Sequence, residues 1–159
     1  CTLGFLTDSQ IQELWDKVIQ DITEHISSVQ LYKQEHALLG ETYTLQTTFE
    51  GGYNATLFLC ADTALFTRLA QCVLQSETVS QQDVEDFAKE YFNIICGQIV
   101  AKIFQTAHVS SRFSIPYVCT GRNIPHDDGK IRFVLNYTSS CNDGIQLIHQ
   151  NSSLEKSTV

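Results

Sequence analysis

Residues 80–108 form the longest helical pattern in this sequence, and no proline interrupts them. Ser80 and Asp83 stand three positions apart at its start, the spacing at which two oxygen-bearing side chains cap a first helical turn. Apolar residues then recur at steps of three and four, which places them on one face; they are Val84, Phe87, Ala88, Tyr91, Ile95 and Ile99. The run predicts a long helix anchored to a core by one side.

The opposite face of this helix carries a distinctive set of residues. At about 100° per residue, four positions at i, i+4, i+7 and i+11 fall within a stripe roughly 60° wide; they are Asp86, Glu90, Asn93 and Gly97. Taken singly, Glu90 and Asn93 are most simply solvated surface residues. Gly97 costs about 1 kcal/mol relative to alanine inside a helix, which suggests close approach by a partner or by a neighbouring element. Two poor helix formers on one stripe favour a functional face.

The rest of the chain alternates between helical and strand periodicity. We expect Asp8 or Ser9 to cap the first helix, Asp62 to cap the second, and a short extended or irregular link over residues 30–39. The predicted elements are, in order, a helix at 7–27, an antiparallel hairpin at 42–49 and 53–60, a helix at 62–73, the long helix, and strands at 112–119, 130–137 and 144–149. This order predicts an α/β (α+β) fold with helices packed on a mostly antiparallel sheet.

Pro116 interrupts the strand predicted at 112–119, in which Phe113, Ile115, Tyr117 and Cys119 alternate with their neighbours. A proline cannot donate a hydrogen bond to a neighbouring strand, so it belongs at a sheet edge, a bulge or a strand start.

The length of 159 residues and the 43% hydrophobic content suit one domain, which we place at residues 1–150, followed by a polar tail at 151–159. The net charge of -8 makes a nucleic-acid backbone or an anionic membrane surface an unfavourable partner. No stretch has the pattern of a bilayer span or a secretory leader. We expect a soluble, cytoplasmic protein.

Other chemistries have little support. The six cysteines are widely spaced, which favours free thiols over a metal site or a disulfide framework; they are Cys1, Cys60, Cys72, Cys96, Cys119 and Cys141. The His126-Asp127-Asp128 triplet is better explained as a solvated turn than as a metal site. The sequence has no phosphate-binding glycine loop and no recognisable serine-hydrolase order.

The first helix echoes the long helix. Ser9, Glu13 and Asp16 stand 77 positions before Asp86, Glu90 and Asn93, which makes an internal duplication plausible. The echo is imperfect, because the carboxylate of Asp16 stands where the long helix has the amide of Asn93.

The spacing Asp86-x-x-x-Glu90-x-x-Asn93, followed after 22 residues by Pro116, resembles the signature of the CheC/CheX/FliY phosphatases of bacterial chemotaxis. Gly97 and the strand–strand–helix lead-in also resemble that family. The likeness covers residues 42–149 and is closest to CheX, because one active helix is intact here whereas CheC carries two.

The resemblance implies hydrolysis of the phosphoaspartate on a response-regulator receiver domain such as phosphorylated CheY. Asn93 would position the attacking water and Glu90 would bind the lysine of the partner. Gly97 would admit the backbone of the partner, Asp86 would lie at the rim of the contact, and Pro116 would shape the strand beneath the helix. The Mg²⁺ would be supplied by the receiver, and no cofactor would be bound by this chain.

The resemblance also implies a homodimer, for which the long final strands are expected to offer an exposed edge. A non-catalytic receiver-binding or scaffold module is the alternative function. The identity of the receiver, and whether the pathway is chemotaxis or another two-component system, stay open.

Overall fold

The structure is a computed structural model that describes residues 6–34, 40–124 and 129–151. Within these residues three helices lie against one sheet of seven strands. The helices are α1 (Asp8–Ser27), α2 (Thr63–Leu74) and α3 (Gln81–Ala107). The strands are β1 (Leu31–Lys33), β2 (Thr42–Gly51), β3 (Ala55–Asp62), β4 (Ser111–Phe113), β5 (Tyr117–Thr120), β6 (Ile131–Ser139) and β7 (Gly144–Asn151).

The sheet is antiparallel throughout, in the order β1-β6-β7-β3-β2-β4, and β5 also pairs with β2. Because side chains alternate between the faces of a strand, paired residues form rows across the sheet. One such row consists of leucines buried against the helices: Leu45, Leu59, Leu147 and Leu135. Burying each such side chain contributes about 1.5 to 3 kcal/mol. The predicted α+β fold is confirmed.

The sheet consists of two halves with matching strand order. From one edge inward the strands are β1, β6 and β7, and from the other edge inward they are β4, β2 and β3. The helices α1 and α3 precede the corresponding strands in each half. This topology is the one that a duplicated helix-and-strands unit would produce.

The helix starts agree only in part with the predicted caps. Ser80 and Asp83 form the expected reciprocal pair at the start of α3. The prediction for α1 was wrong, because Thr7 caps it and Gln10 returns the hydrogen bond. Asp62 does stand at the start of α2, but its carboxylate accepts from the Gly144 N–H at 2.9 Å and makes no cap bond. That carboxylate joins β3 to β7 instead.

Two strand predictions need correction. The link at 30–39 does contain a short extended segment, β1, and residues 35–39 lie outside the described part of the chain. The returning strand of the first hairpin begins at Ala55 rather than at residue 53. The strand at 112–119 is two strands, β4 and β5, separated around Pro116. Both pair with β2 on one side only, so the proline does lie at a sheet edge.

Of the two final strands, only β6 offers part of the exposed edge that was expected. β7 lies between β6 and β3, and β1 covers the last residues of β6. Among the described residues, the unpaired edges are the outer sides of β1, β4 and β5 and the first part of β6. Sheet-to-sheet pairing through the final strands is therefore open to the start of β6 and closed to β7.

Candidate functional site

The stripe on α3 is held in place by the buried residues around it. Tyr91 and Phe92, which precede Asn93, are fully buried, and Ile95 and Cys96 are buried just after it. The Tyr91 hydroxyl lies 2.5 Å from Thr23 Oγ1 on α1. Burial raises the pKa of Tyr91 to about 12, so its phenol stays neutral and keeps this hydrogen bond at physiological pH. The backbone at position 93 is thereby fixed relative to the core.

The four stripe residues lie on the solvent side of α3, as their spacing predicts. Glu90, Asp86 and Gly97 are exposed, and Asn93 is half-buried at the margin of this face. Neither the Glu90 nor the Asn93 side chain has a hydrogen bond or an ion pair with any other described residue. A carboxylate and an amide one turn apart are therefore available to a partner from solvent.

Asp86 has contacts of its own. Its carboxylate accepts a hydrogen bond from Gln82 Nε2 at 2.9 Å and lies 3.8 Å from Lys89 Nζ. All three side chains are on α3, so these contacts do not tie Asp86 to the core. The charge of Lys89 partly offsets that of Asp86, which lies at the N-terminal end of the stripe.

Gly97 has open space where a side chain would stand. A Cβ built at this position would meet no described atom within 4 Å. The sequence suggested that either a neighbouring element or a partner approaches Gly97 closely. No neighbouring element of the described fold does so, and close approach by a partner stays a prediction.

Pro116 is buried between β4 and β5. Its neighbours differ from the predicted alternation, because Ile115 is 85% exposed and Tyr117 is 52% exposed. A proline cannot continue the ladder, so the chain changes its alignment with β2 at this point. Sequence reasoning missed the exposure of Ile115, although an apolar residue next to a strand-breaking proline is a signal for it.

The first-half counterpart of Asn93 is occupied by contacts within the fold. Asp16 Oδ1 accepts from the Tyr137 hydroxyl at 2.5 Å and from Gln20 Nε2 at 3.1 Å, and Lys33 Nζ lies 3.5 Å from Oδ2. The pKa of Tyr137 is raised, first by burial and then by its bond to Asp16. Asp16 therefore fastens α1 to β1 and β6.

The described residues offer little for other chemistry. No group of three or more metal-ligating side chains occurs among them, and both the triplet at 126–128 and Cys1 lie outside them. The five described cysteines are free thiols, and no described helix is both long and apolar enough to span a bilayer. Two cavities of about 460 and 690 Å³ lie near the starts of α3 and α2, and the stripe residues line neither. The stripe is a convex face, which suits a macromolecular partner.

Comparison with solved structures finds the same fold in chemotaxis proteins. The CheX protein of Vibrio vulnificus has a TM-score of 0.71 and 15% identity over 92% of this chain and 100% of that chain. CheX of Desulfovibrio desulfuricans gives 0.69 and 14% identity, over 88% and 99%. The CheX–CheY–BeF3–Mg²⁺ complex from Borrelia burgdorferi gives 0.68 and 12% identity, over 89% and 97%.

These identities are low enough that the solved structures establish the fold alone. No curated protein sequence matches the chain. A family model does match it, over residues 43–138, and that model describes the chemotaxis phosphatase CheX. The matched segment includes the whole of α3 and Pro116, and it covers more than half of the sequence. This protein therefore belongs to the CheX family of chemotaxis phosphatases.

Proposed function

We propose that this protein hydrolyses the phosphoaspartate of a CheY-like response-regulator receiver domain, with Asn93 and Glu90 as its catalytic residues. The observation that carries the proposal is the stripe itself. Both side chains project from a helix whose other side is buried, and neither has a partner among the described residues. The similar CheX protein of Borrelia burgdorferi is known in complex with CheY, which supports a receiver as the partner.

Asn93 is suited to positioning a water molecule. Phosphoryl transfer needs an in-line nucleophile and neutralised charge, with little covalent work from the protein. A carboxamide both donates and accepts hydrogen bonds and does not titrate, so it holds a water in one orientation at any physiological pH. Fixing a nucleophile in this way can lower a barrier by several kcal/mol. The half-buried position of Asn93 restricts its side chain further.

Glu90 supplies the docking charge. A carboxylate one turn from Asn93 can pair with the active-site lysine of a receiver, and a charge-assisted hydrogen bond of this kind is stronger than a neutral one. That contact would orient the acyl phosphate toward Asn93. The Mg²⁺ of the reaction is assigned to the receiver, where it would neutralise charge on the phosphoryl group.

The remaining stripe residues shape the contact. Gly97 leaves room for the backbone of the partner to approach α3, and Asp86 lies at the rim with part of its charge offset by Lys89. Asp16 is engaged by Tyr137 and Lys33, which supports a single catalytic site per chain. Since receiver domains are cytoplasmic signalling modules, we place the reaction in the cytoplasm.

The test is release of inorganic phosphate from a phosphorylated CheY-like receiver, with and without this protein. We expect Asn93→Ala to lower the rate by about a hundredfold or more, equivalent to about 2.7 kcal/mol of transition-state stabilisation. Binding to the receiver should be mostly retained. Asn93→Asp is the matched control, because it keeps the shape of the side chain but replaces the amide with the carboxylate found at position 16. It should be at least as inactive.

A different result would support the alternative function. If the wild-type protein binds phosphorylated receivers but accelerates phosphate release from none of them, it is a scaffold or binding module. If Asn93→Ala keeps the wild-type rate, the assignment of the water-positioning residue is wrong.

We also propose that the protein is a homodimer, as the family resemblance implies. The unpaired edges β1, β4 and β5 and the start of β6 are the places where a second sheet can add by backbone hydrogen bonding. Sedimentation velocity over a range of protein concentrations measures the oligomeric state, and a monomer at every concentration would contradict the proposal.

A further inference from the structure

Two isoleucines with exposed side chains lie close to the catalytic stripe. Ile94 follows Asn93 on α3 and is 38% exposed, and Ile115 on the edge of the sheet is 85% exposed. A single exposed apolar residue needs no explanation. The position of Ile115 relative to Asn93 decides whether it belongs to the same surface.

Contacts at the two ends of α3 fix its alignment with β2. Near the start of the helix, the Tyr43 hydroxyl donates to Glu85 Oε2 at 3.3 Å. Just beyond the end of the helix, the Gly52 N–H donates to the Ser110 carbonyl at 2.8 Å. Helix and strand therefore run side by side in the same direction, and the middle of α3 lies at the level of the middle of β2.

Hydrogen bonds place Ile115 level with the middle of β2. Ser114 contacts the middle of β2, because Thr47 Oγ1 donates to the Ser114 carbonyl at 2.5 Å and the Thr48 N–H donates to Ser114 Oγ at 3.0 Å. Ile115 is the next residue. Asn93 and Gly97 straddle the midpoint of α3, which packs against both β4 and β5. Ile115 therefore lies level with the stripe along the axis of α3, on the sheet edge that α3 packs against.

The typical size of a protein interface indicates whether a receiver bound at Asn93 also reaches the two isoleucines. A standard interface buries about 800 Å² on each partner, which corresponds to a patch about 30 Å across. A receiver centred on Asn93 extends about 15 Å in each direction, so it covers position 94 and, where it overhangs the edge of the sheet beside α3, position 115. The carboxylates of Glu90 and Asp86 lie on the same surface and complement the lysine and Mg²⁺ of a receiver active site.

We propose that Ile115, together with Ile94, is an apolar docking contact for the receiver domain. This inference rests on the proposed function. The docking surface then has an acidic part at Asp86 and Glu90 and two apolar contacts on either side of Asn93, Ile94 on α3 and Ile115 on the edge of the sheet. The burial of Pro116 holds Ile115 at the edge and directs the chain outward there. A buried apolar anchor beside a charged contact fixes the orientation of the partner, and hence of the phosphoryl group.

The test compares Ile115→Ser with wild type. Binding is measured by titration calorimetry with a CheY-like receiver loaded with beryllofluoride and Mg²⁺, and turnover with the phosphorylated receiver. We expect Kd and KM to rise about tenfold for Ile115→Ser while kcat stays at the wild-type value, and Ile94→Ser to shift both constants in the same direction. Leu74→Ser is the matched control, because Leu74 is 52% exposed at the end of α2. It should bind and turn over like wild type.

The outcomes separate this inference from the proposed function. An exposed side chain contributes little to folding, so unfolding curves of Ile115→Ser and wild type should coincide. If wild type is active and Ile115→Ser has unchanged Kd and KM, the docking contact is wrong and the phosphatase proposal stands. If wild type neither binds nor dephosphorylates the receiver, the proposed function fails first. If Ile115→Ser instead dissociates a homodimer and leaves receiver affinity unchanged, a second copy covers this residue and the proposal is overturned.

Discussion

At the residue scale, Asn93 carries an amide where its counterpart on α1, Asp16, carries a carboxylate. Asp16 is bonded to Tyr137 and lies near Lys33, so its charge serves to join α1 to the sheet. Asn93 has no such partner among the described residues, and it stays available to solvent and to a substrate. The same position thus makes contacts within the fold on α1, and on α3 it is left open for the catalytic role that we propose for Asn93.

Gly97 gives a residue-scale prediction in which stability and function change in opposite directions. Gly97→Ala should raise the free energy of unfolding by about 1 kcal/mol, because alanine is the better helix former and its Cβ meets no described atom. Gly97→Gln should weaken receiver binding, because a long side chain stands where the partner approaches. Chemical denaturation and calorimetric titration measure the two effects. Either destabilisation by alanine or wild-type binding by the glutamine variant would contradict the interpretation.

At the scale of elements, α1 and α3 occupy equivalent places in the two halves of the fold and pack against each other through Thr23 and Tyr91. Of these two helices, only α3 has an acid followed three positions later by an amide that no other described residue engages, because the corresponding residue on α1 is Asp16. The neighbouring edge strands β4 and β5 meet at Pro116 and bring Ile115 beside α3, whereas β1 on the other side brings Lys33 to Asp16. The edges of the sheet therefore make the two helices different.

Charge reversal on each helix tests this difference. Glu90→Lys should weaken receiver binding strongly, because it places a cation against the lysine of the partner. Glu13→Lys is the matched control, since Glu13 is the exposed residue that corresponds to Glu90 on α1. It should leave the rate of phosphate release and the affinity unchanged. Equal losses in the two variants would mean that both helices bind receivers.

At the scale of the whole molecule, a buried polar chain connects α1 to the centre of the sheet. Trp15 Nε1 donates to the Tyr53 hydroxyl at 3.0 Å, and that hydroxyl lies 2.6 Å from His149 Nε2. His149 is fully buried. Its pKa is lowered to about 3, first by burial and then by the charge of Arg132. The imidazole is therefore neutral in the folded protein at any pH at which the protein works.

This histidine predicts a loss of stability in mild acid. Its pKa is lower in the folded state than the ordinary 6.5 of the unfolded chain, so the unfolded state binds more protons below pH 6.5 and stability falls as pH falls. Between pH 7 and pH 5 the contribution of His149 amounts to about 2 kcal/mol. Urea denaturation at the two pH values measures it. His149→Gln removes the titrating group, and its stability should depend on pH less steeply by that amount; an equal slope would refute the prediction.

The sequence by itself determined the features that depend on neighbours within one element. The cap at Ser80, the buried face of α3 and the exposed stripe from Asp86 to Gly97 follow from a period of 3.6 residues. The first hairpin follows from two alternating runs around Gly51 and Gly52. These features could be predicted because helix and hairpin geometry is fixed by spacings of a few residues.

Only the tertiary structure decided which of these residues meet. Asp16 is bonded to Tyr137, 121 positions away, and Asp62 holds Gly144 rather than capping α2. Ile115 is exposed because β4 and β5 form one edge of the sheet. Strand order and edge position result from contacts between segments that are distant in the chain, and no local spacing encodes them. The site therefore combines a helix that its own sequence specifies with a setting that the packing of the whole sheet provides.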